Sequence, residues 1–493
     1  RMTIVRLLPV TSNPRMEYKV RAVDLELCYL SATEAIERFK KKELSPVDLM
    51  KAVIARTEQV NPQLNAVTYS FFDRALAQAS EAEGKYVRAD KDLRPLEGIP
   101  VAIKDFHPVK GEITTYGSKT HADFRSDYTA PTVQRLLDAG GIMHLRTTTP
   151  EWAYSGMTHS PLWGITRNPW NTDYTPGGSS GGAGAAVAAG MTTLADGTDG
   201  GGSIRIPAAA CGLVGFKPPF GRNPLDRDHP GESILKYGPI TRTVADAALM
   251  QNIMSGPHVE DRCTVREVIR LPEKYRPLEK CKIAFSIDLG YVGVDQEVQK
   301  NTYKALDVFR SLGCEVTEVD LGWTSENLTM WMRYWESLFA ATAGKYLDER
   351  RADLDPVVVG LLERGRLHTA AEMYQVTLHR GKMWRTLGPI LEKYDFLVCP
   401  TNAVPAVRAE HDQSASDFNV DGKPTHATYG WFLTNPFNLM SECPVMSVPS
   451  GIASTGIPTG IQIVGRTFDD VSVFRAAAAY EAANGWSGKR PAL

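Results

Sequence analysis

The chain is predicted to fold as an α/β protein because three features of its 493 residues agree. Helix-start signals and short β-rich runs alternate from Ser31 to Thr147, and the alternation returns from Lys282 to Leu321. Neither an internal repeat nor a long Pro-, Gly- or Ser-rich linker divides the sequence, so one unit over residues 1–493 is expected.

The elements follow in order. Ser31 with Glu34, and Ser45-Pro46 with Asp48, each set a capping hydroxyl ahead of an acid, the second with proline at the first helical position. Helices over 31–42 and 46–60 are expected there. Runs at Asn65–Ser70, Ile99–Lys104 and Ile142–Thr147 read as strands, with a helix over Pro131–Ala139 before the third. Residues 174–222 shift abruptly to Gly, Ser and Ala. Beyond them, strands at Lys282–Ser286 and Glu315–Leu321 flank a helix over Gln296–Leu312. Residues 326–394 read as mainly helical, Asn402–His426 as polar loop, and Pro444–Pro449 and Gly460–Gly465 as late strands.

Composition narrows the function. Lys plus Arg total 55 against 57 for Asp plus Glu, so no electrostatic footprint for nucleic acid or an anionic membrane is present. Seven cysteines lie scattered without a CxxC pair, which fits reduced thiols rather than a disulfide framework or zinc site. Ile4–Val10 is too short, and too interrupted by Arg6, for a signal peptide, and a cytoplasmic protein without metal or cofactor is expected.

The glycine-serine segment carries the chemistry. Pro176-Gly177-Gly178-Ser179-Ser180-Gly181-Gly182 runs into small residues suited to a tightly packed helix, which Gly190 is placed to end. Ser179 and Ser180 then sit at its N-terminus, where free amides and the helix dipole favour developing negative charge. A helix of about ten residues advances ~15 Å, and a strand over Thr192–Asp196 returns about as far. The chain comes back as a second loop, Gly197-Thr198-Asp199-Gly200-Gly201-Gly202-Ser203-Ile204-Arg205. Gly200, Gly201 and Gly202 let successive N–H groups converge on one point, as an oxyanion hole requires. No Lys follows these glycines as a phosphate-binding P-loop needs, and G-x-G-x-x-G fails. None of the ten histidines sits in a nucleophile-elbow or H-E-x-x-H pattern, and His107 reads as a loop residue.

Together with Gly98-Ile99-Pro100-Val101-Ala102-Ile103-Lys104-Asp105, these loops resemble the amidase signature family. The spacing agrees, with 179 − 104 = 75 and 203 − 179 = 24. The resemblance extends through Thr114–Ser118, Ala139–Gly141, Cys211–Pro218 and Gly456–Gly465. It implies a large twisted mixed sheet enclosed by helices, a catalytic core over 95–222 and a helical substrate-side region over 322–395. By position it implies Ser203 as nucleophile, Ser179 as bridge, Lys104 as base, the amides around Gly200–Ser203 as oxyanion hole, and a cis peptide between Gly178 and Ser179. Ser180, Asp199 and Arg205 fall in supporting positions that hold the loops. Lys104 serves as a base only when neutral, which burial at a strand end favours.

Two departures stand out: Leu145-Arg146-Thr147-Thr148-Thr149 precedes Pro150-Glu151 where many members carry G-K-T-N, and Gly200 replaces a bulkier residue. The second resembles a subset that includes hydrolases of nylon oligomers. The leading expectation is a stand-alone amidohydrolase, monomer or homodimer, acting with water on a small hydrophobic aryl or alkyl amide, with ester and carbamate (urethane) cleavage open to the same chemistry. The runner-up is the glutamine-hydrolysing component of a tRNA-dependent amidotransferase, which needs a late acidic residue to hold the glutamine amine. Between Asp421 and Asp469 the only acid is Glu442. A catalytically inactive binding protein is disfavoured because all three catalytic positions are intact. Trp331, Trp335 and Phe339 at helical spacing, with Tyr429, Trp431, Phe432 and Phe437, are the candidates for an apolar pocket.

Overall fold

The computed structural model describes residues 23–229, 231–486 and 488–493; the segment Ile4–Val10 lies outside them. Eleven strands form one sheet: β1 (Val67–Ser70), β2 (Pro100–Lys104), β3 (Ile142–Thr147), β4 (Leu194–Asp199), β5 (Val214–Lys217), β6 (Lys236–Thr241), β7 (Lys282–Phe285), β8 (Glu315–Glu318), β9 (Phe396–Pro400), β10 (Val445–Ile452) and β11 (Pro458–Val464). Their order is β1-β3-β2-β4-β6-β5-β10-β11-β9-β7-β8. Parallel pairing at β3-β2-β4 and β9-β7-β8 encloses an antiparallel centre, so the sheet is mixed. Helices cover it, and the core lies between, with Phe216, Ile283, Val398, Ile463 and Phe474 buried.

The predicted caps form. Ser45 accepts the Val47 N–H at the start of Pro46–Leu64. That helix runs past its expected end at residue 60 with Pro62 in its last turn, and Asn65, at φ 50°, closes it in the left-handed conformation. The region 326–394 resolves into helices Glu326–Glu349, Pro356–Gly365 and Ala370–Lys393. Helices Phe72–Arg88, Arg205–Cys211, Val244–Met254 and Asp470–Asn484, and strands β5, β6 and β9, are additions to those expected from sequence.

Two elements position the site. The Gly181–Ala188 helix is buried along its whole length, and its glycines permit that: a Cβ at Gly181 would stand 2.2 Å from Thr158 Oγ1, and one at Gly182 would stand 2.4 Å from Thr148. The strand expected over Thr192–Asp196 begins at Leu194 and runs on to Asp199, because β6 pairs with it through Asp199 opposite Lys236. Gly197 and Thr198 therefore belong to the sheet, and the second loop starts at Gly200.

Candidate active site

Lys104 ends β2, and its side chain enters a fully buried pocket. Nζ lies 2.7 Å from Ser179 Oγ, 2.8 Å from Thr198 Oγ1 and 3.0 Å from Ser180 Oγ. Burial pushes the Lys104 pKa well below its ordinary value, and the carboxylates of Asp196 and Asp199, which act the other way, do not offset it. A neutral amine has two N–H donors and one lone pair, so two of the three hydroxyls accept and one donates. Ser180 Oγ already accepts the Thr198 N–H at 3.2 Å and donates to the Thr198 carbonyl at 3.4 Å, so its proton is committed. Ser179 and Thr198 are left as the hydroxyls that can donate to the lone pair.

The turn after Lys104 is held from behind. Asp196 accepts the Lys104 N–H at 2.7 Å through Oδ1, and its Oδ2 meets His107 Nδ1. His107 is fully buried against Tyr237, with ring centroids 4.3 Å apart, so it is a packed support for Asp196.

Ser179 follows a cis peptide from Gly178, and Ser180 occupies the N-cap of the Gly181–Ala188 helix. Ser203 stands between β4 and the Arg205–Cys211 helix, and its carbonyl accepts the Ser180 N–H at 3.2 Å, which ties the two serine loops together. Ser179 and Ser203 face one cavity, although no hydrogen bond joins their side chains among the described residues.

The glycine loop is fixed through its carbonyls. Trp331 Nε1–H donates to the Gly200 carbonyl at 2.9 Å, and Thr434 Oγ1–H donates to that of Gly201 at 2.6 Å. None of the described hydrogen bonds is donated by Gly200, Gly201, Gly202 or Ser203, so these N–H groups remain available. Close packing demands the glycines: a Cβ at Gly201 would lie 2.4 Å from Trp331 Cζ2, and one at Gly202, where φ is +129°, would lie 2.0 Å from Thr434 Oγ1.

Asp199 and Arg205 form a fully buried bidentate pair, with Nε–Oδ2 and the second nitrogen–Oδ1 contact both 2.9 Å. The remaining guanidinium donors reach Thr434 O, Gln462 Oε1 and Asn438 Oδ1, so the charge is fully bonded. Burial raises the Asp199 pKa, but the Arg205 charge and the Arg205 and Asn438 hydrogen bonds outweigh it and hold the carboxyl below its ordinary range.

The cavity has a volume of about 740 Å³. Helix Glu326–Glu349 supplies one wall through Trp335, Leu338, Phe339 and Tyr346, and Phe106, Tyr116, Phe124 and Trp152 supply the other. Of the seven aromatic residues singled out from sequence, only Trp335 and Phe339 line it. Trp331 lies beneath the glycine loop, Tyr429 packs edge-on to Trp331 at 5.1 Å, Trp431 packs on Phe432, and Phe437 packs on Trp323. Thr198, the third hydroxyl at Lys104, escaped the sequence-based assignment although it stands within the matched motif. The aromatic wall before residue 153 left one signal, Phe106, two residues beyond Lys104.

Fold and site define a hydrolase of carbon–nitrogen amide bonds. The chain belongs to the amidase family, whose sequence model matches residues 48–474. It is 36% identical over 478 residues to an acylamidase from Rhodococcus erythropolis, covering 94% of this chain and 98% of that one. It is also 33% identical over 501 residues to the A component of the glutamyl-tRNA(Gln) amidotransferase from Geotalea daltonii, covering 95% and 100%. A bacterial aryl acylamidase of the amidase signature family superimposes with a TM-score of 0.85 at 31% identity, covering 93% of this chain and 98% of the other. Among the described residues, no helix is long and apolar enough to cross a membrane.

Proposed function

We propose that the chain hydrolyses a small aryl or alkyl amide, with Ser203 as nucleophile, Ser179 as proton bridge and neutral Lys104 as base. The observation that carries this reading is the buried Lys104 amine bonded to Ser179 at 2.7 Å, behind a cavity onto which Ser203 opens. The Ser203 proton passes to Ser179, which passes its own to Lys104, while Ser203 Oγ bonds to the acyl carbon. The carbonyl electron pair moves to oxygen, where the free amides of Gly200–Ser203 receive it. Collapse expels the nitrogen, which takes the proton back along the same path, and water then releases the acid by the same sequence in reverse. Serine has only one side-chain torsion to turn, and Ser203 and Ser179 line the same cavity, so the proposed path requires Ser203 Oγ to turn toward Ser179 Oγ.

The aromatic walls favour a ring or alkyl chain, and the acid on the wall, Asp228, already accepts the Tyr128 hydroxyl, so it is engaged rather than open to a glutamine amine. Esters and carbamates pass through the same tetrahedral oxyanion. The amidotransferase reading draws on the likeness to that enzyme's glutamine-hydrolysing component, but Glu442 lies outside the cavity and pairs with Arg380 at 3.2 Å. The test is an amide, ester, carbamate and glutamine panel with the purified chain alone. Hydrophobic anilides are expected to be cleaved better than glutamine. Ser203→Ala is expected to abolish turnover, Lys104→Ala to cost several orders of magnitude, and Ser179→Ala to cost less because water can bridge. Near-normal turnover in Ser203→Ala, or glutamine outperforming every anilide, refutes the reading.

A further inference from the structure

Among the polar groups on the cavity wall, one presents a ring nitrogen with no role in the proposed proton path. His229 lines the cavity, and its Nδ1 is held 3.1 Å from Asp226 Oδ1. Asp226 is itself fixed, since its other oxygen accepts the Tyr237 hydroxyl at 2.8 Å and Oδ1 also accepts the Asp228 N–H at 3.1 Å. The imidazole stacks on Phe106 with centroids 5.4 Å apart, and that phenyl ring lies 5.6 Å from Lys104 Nζ. Orientation of the His229 ring is therefore set by a carboxylate on one edge and an aromatic face beneath. Its Nε2 has no partner among the described residues.

The polar side chains beside His229 are engaged, and Lys345, also on the cavity wall, lies over the Tyr346 ring. Asp228 accepts the Tyr128 hydroxyl at 2.7 Å, and Arg227 lies over the Tyr128 ring and pairs with Asp127 and Glu260. His121 meets Thr120 through Nδ1 and the Tyr346 hydroxyl through Nε2. Burial pushes the His229 pKa down, but the Asp226 carboxylate, with Asp228 and Glu232 beyond it, outweighs burial and raises it. Because the Asp226 carboxylate accepts from Nδ1, Nε2 carries an N–H only in the imidazolium, the form that the adjacent carboxylate favours.

We infer that His229 is a specificity-determining residue whose imidazolium donates from Nε2 to an acceptor oxygen on the body of the substrate, distinct from the scissile carbonyl. The inference rests on the amide-hydrolase reading above and narrows its substrate class to aryl amides bearing a nitro, carbonyl or ether oxygen. The scissile carbonyl is directed to the glycine-loop amides, and the aromatic walls take the ring, so His229 is left to read a second polar group. A site that hydrogen-bonds such a group discriminates against the analogue lacking it, because the donor is then desolvated without a partner.

The test compares kcat/KM for acetanilide with that for its para-nitro, para-acetyl and para-methoxy derivatives, and for N-phenyl amides carrying a ketone on the acyl chain. Wild type, His229→Leu and His229→Gln are assayed, with thermal melting as a check on folding. Dividing the variant's preference by the wild type's cancels the intrinsic reactivity of each leaving group. At least one acceptor-bearing substrate is expected to lose about tenfold or more of its relative preference in His229→Leu, mainly through KM. His229→Gln, which keeps a donor, is expected to recover part of it. If both variants leave every relative preference within about twofold, the His229 assignment is overturned while the amidase reading stands. If wild type cleaves none of the panel, the aryl-amide reading itself falls and takes this assignment with it.

Discussion

Arg205→Met removes the cation bonded to the fully buried Asp199 carboxylate, so its cost can be worked from the geometry. The guanidinium makes five hydrogen bonds, two to Asp199 and one each to Thr434 O, Gln462 Oε1 and Asn438 Oδ1. Methionine fills similar volume but leaves Asp199 charged without its ion-pair partner, held by Asn438 and the Ile204 N–H, which costs about 3–5 kcal/mol for a buried pair broken on one side. Unfolding entropy of roughly 2 cal/mol/K per residue gives about 1 kcal/mol per kelvin for a chain of 493 residues, so the melting temperature is expected to fall by about 3–5 °C. Calorimetry at neutral pH reads this directly. The double variant D199N/R205M, which removes both charges, is expected to recover a substantial part of the loss. Acid gives a second reading. In wild type the folded Asp199 pKa is depressed, so the stability it contributes is present above the unfolded carboxyl pKa and lost as pH falls through the folded value. In Arg205→Met the lone carboxyl is easier to protonate, so the gap between variant and wild type is expected to narrow in acid. A shift below about 1 °C, or a double variant less stable than the single one, refutes the reasoning.

Two further outcomes follow from the site and a third from helix Ala370–Lys393. Lys104 accepts a proton only when neutral, and its neutral fraction grows with pH, so kcat/KM is expected to rise with pH and level off well below the ordinary lysine pKa of 10.5. Initial rates from acid to alkaline pH check this; a rise confined to pH above the ordinary lysine value, or an acid limb that His107→Ala removes, contradicts it. Gly201→Ala forces a methyl group against Trp331 and displaces the glycine-loop amides, so kcat is expected to fall about 100-fold. Gly381→Ala, inside helix Ala370–Lys393 with no atom within 4 Å of the new methyl group, is expected to keep full activity and gain about 0.5 kcal/mol in denaturant unfolding. Retention of more than half the wild-type kcat in Gly201→Ala refutes the steric account.

The difference between what was legible in the sequence and what was not follows from how each contact is made. Lys104 and Ser179 meet because β2 and β4 are parallel neighbours and the short Gly181–Ala188 helix leads into β4, and the small residues, glycine breaks and serine positions of that helix and its flanking loops lie close together in the sequence. Strand β6 gave no such warning: its run Lys236–Thr241 carries Gly238 and Pro239, which argue against a central strand, yet it pairs on both sides. Gly238 fits there because a Cβ would stand 2.4 Å from the Phe216 carbonyl, a contact no local pattern contains. The same holds for the cavity. Helical spacing correctly joined Trp331, Trp335 and Phe339 on one face, but not the fact that the helix approaches the glycine loop so closely that Trp331 becomes its backing and Trp335 its wall. The three glycines and the tryptophan pair are thus one feature seen from two places in the chain. A bulkier residue at 200 would meet Trp335 at 2.7 Å, so the glycine that departs from many family members is matched by the aromatic helix packed against it. On the proposed reading, substrate preference is set by that pairing and by His229, which line the same cavity as Ser203, while the amine and hydroxyls around Lys104 hold the chemistry constant.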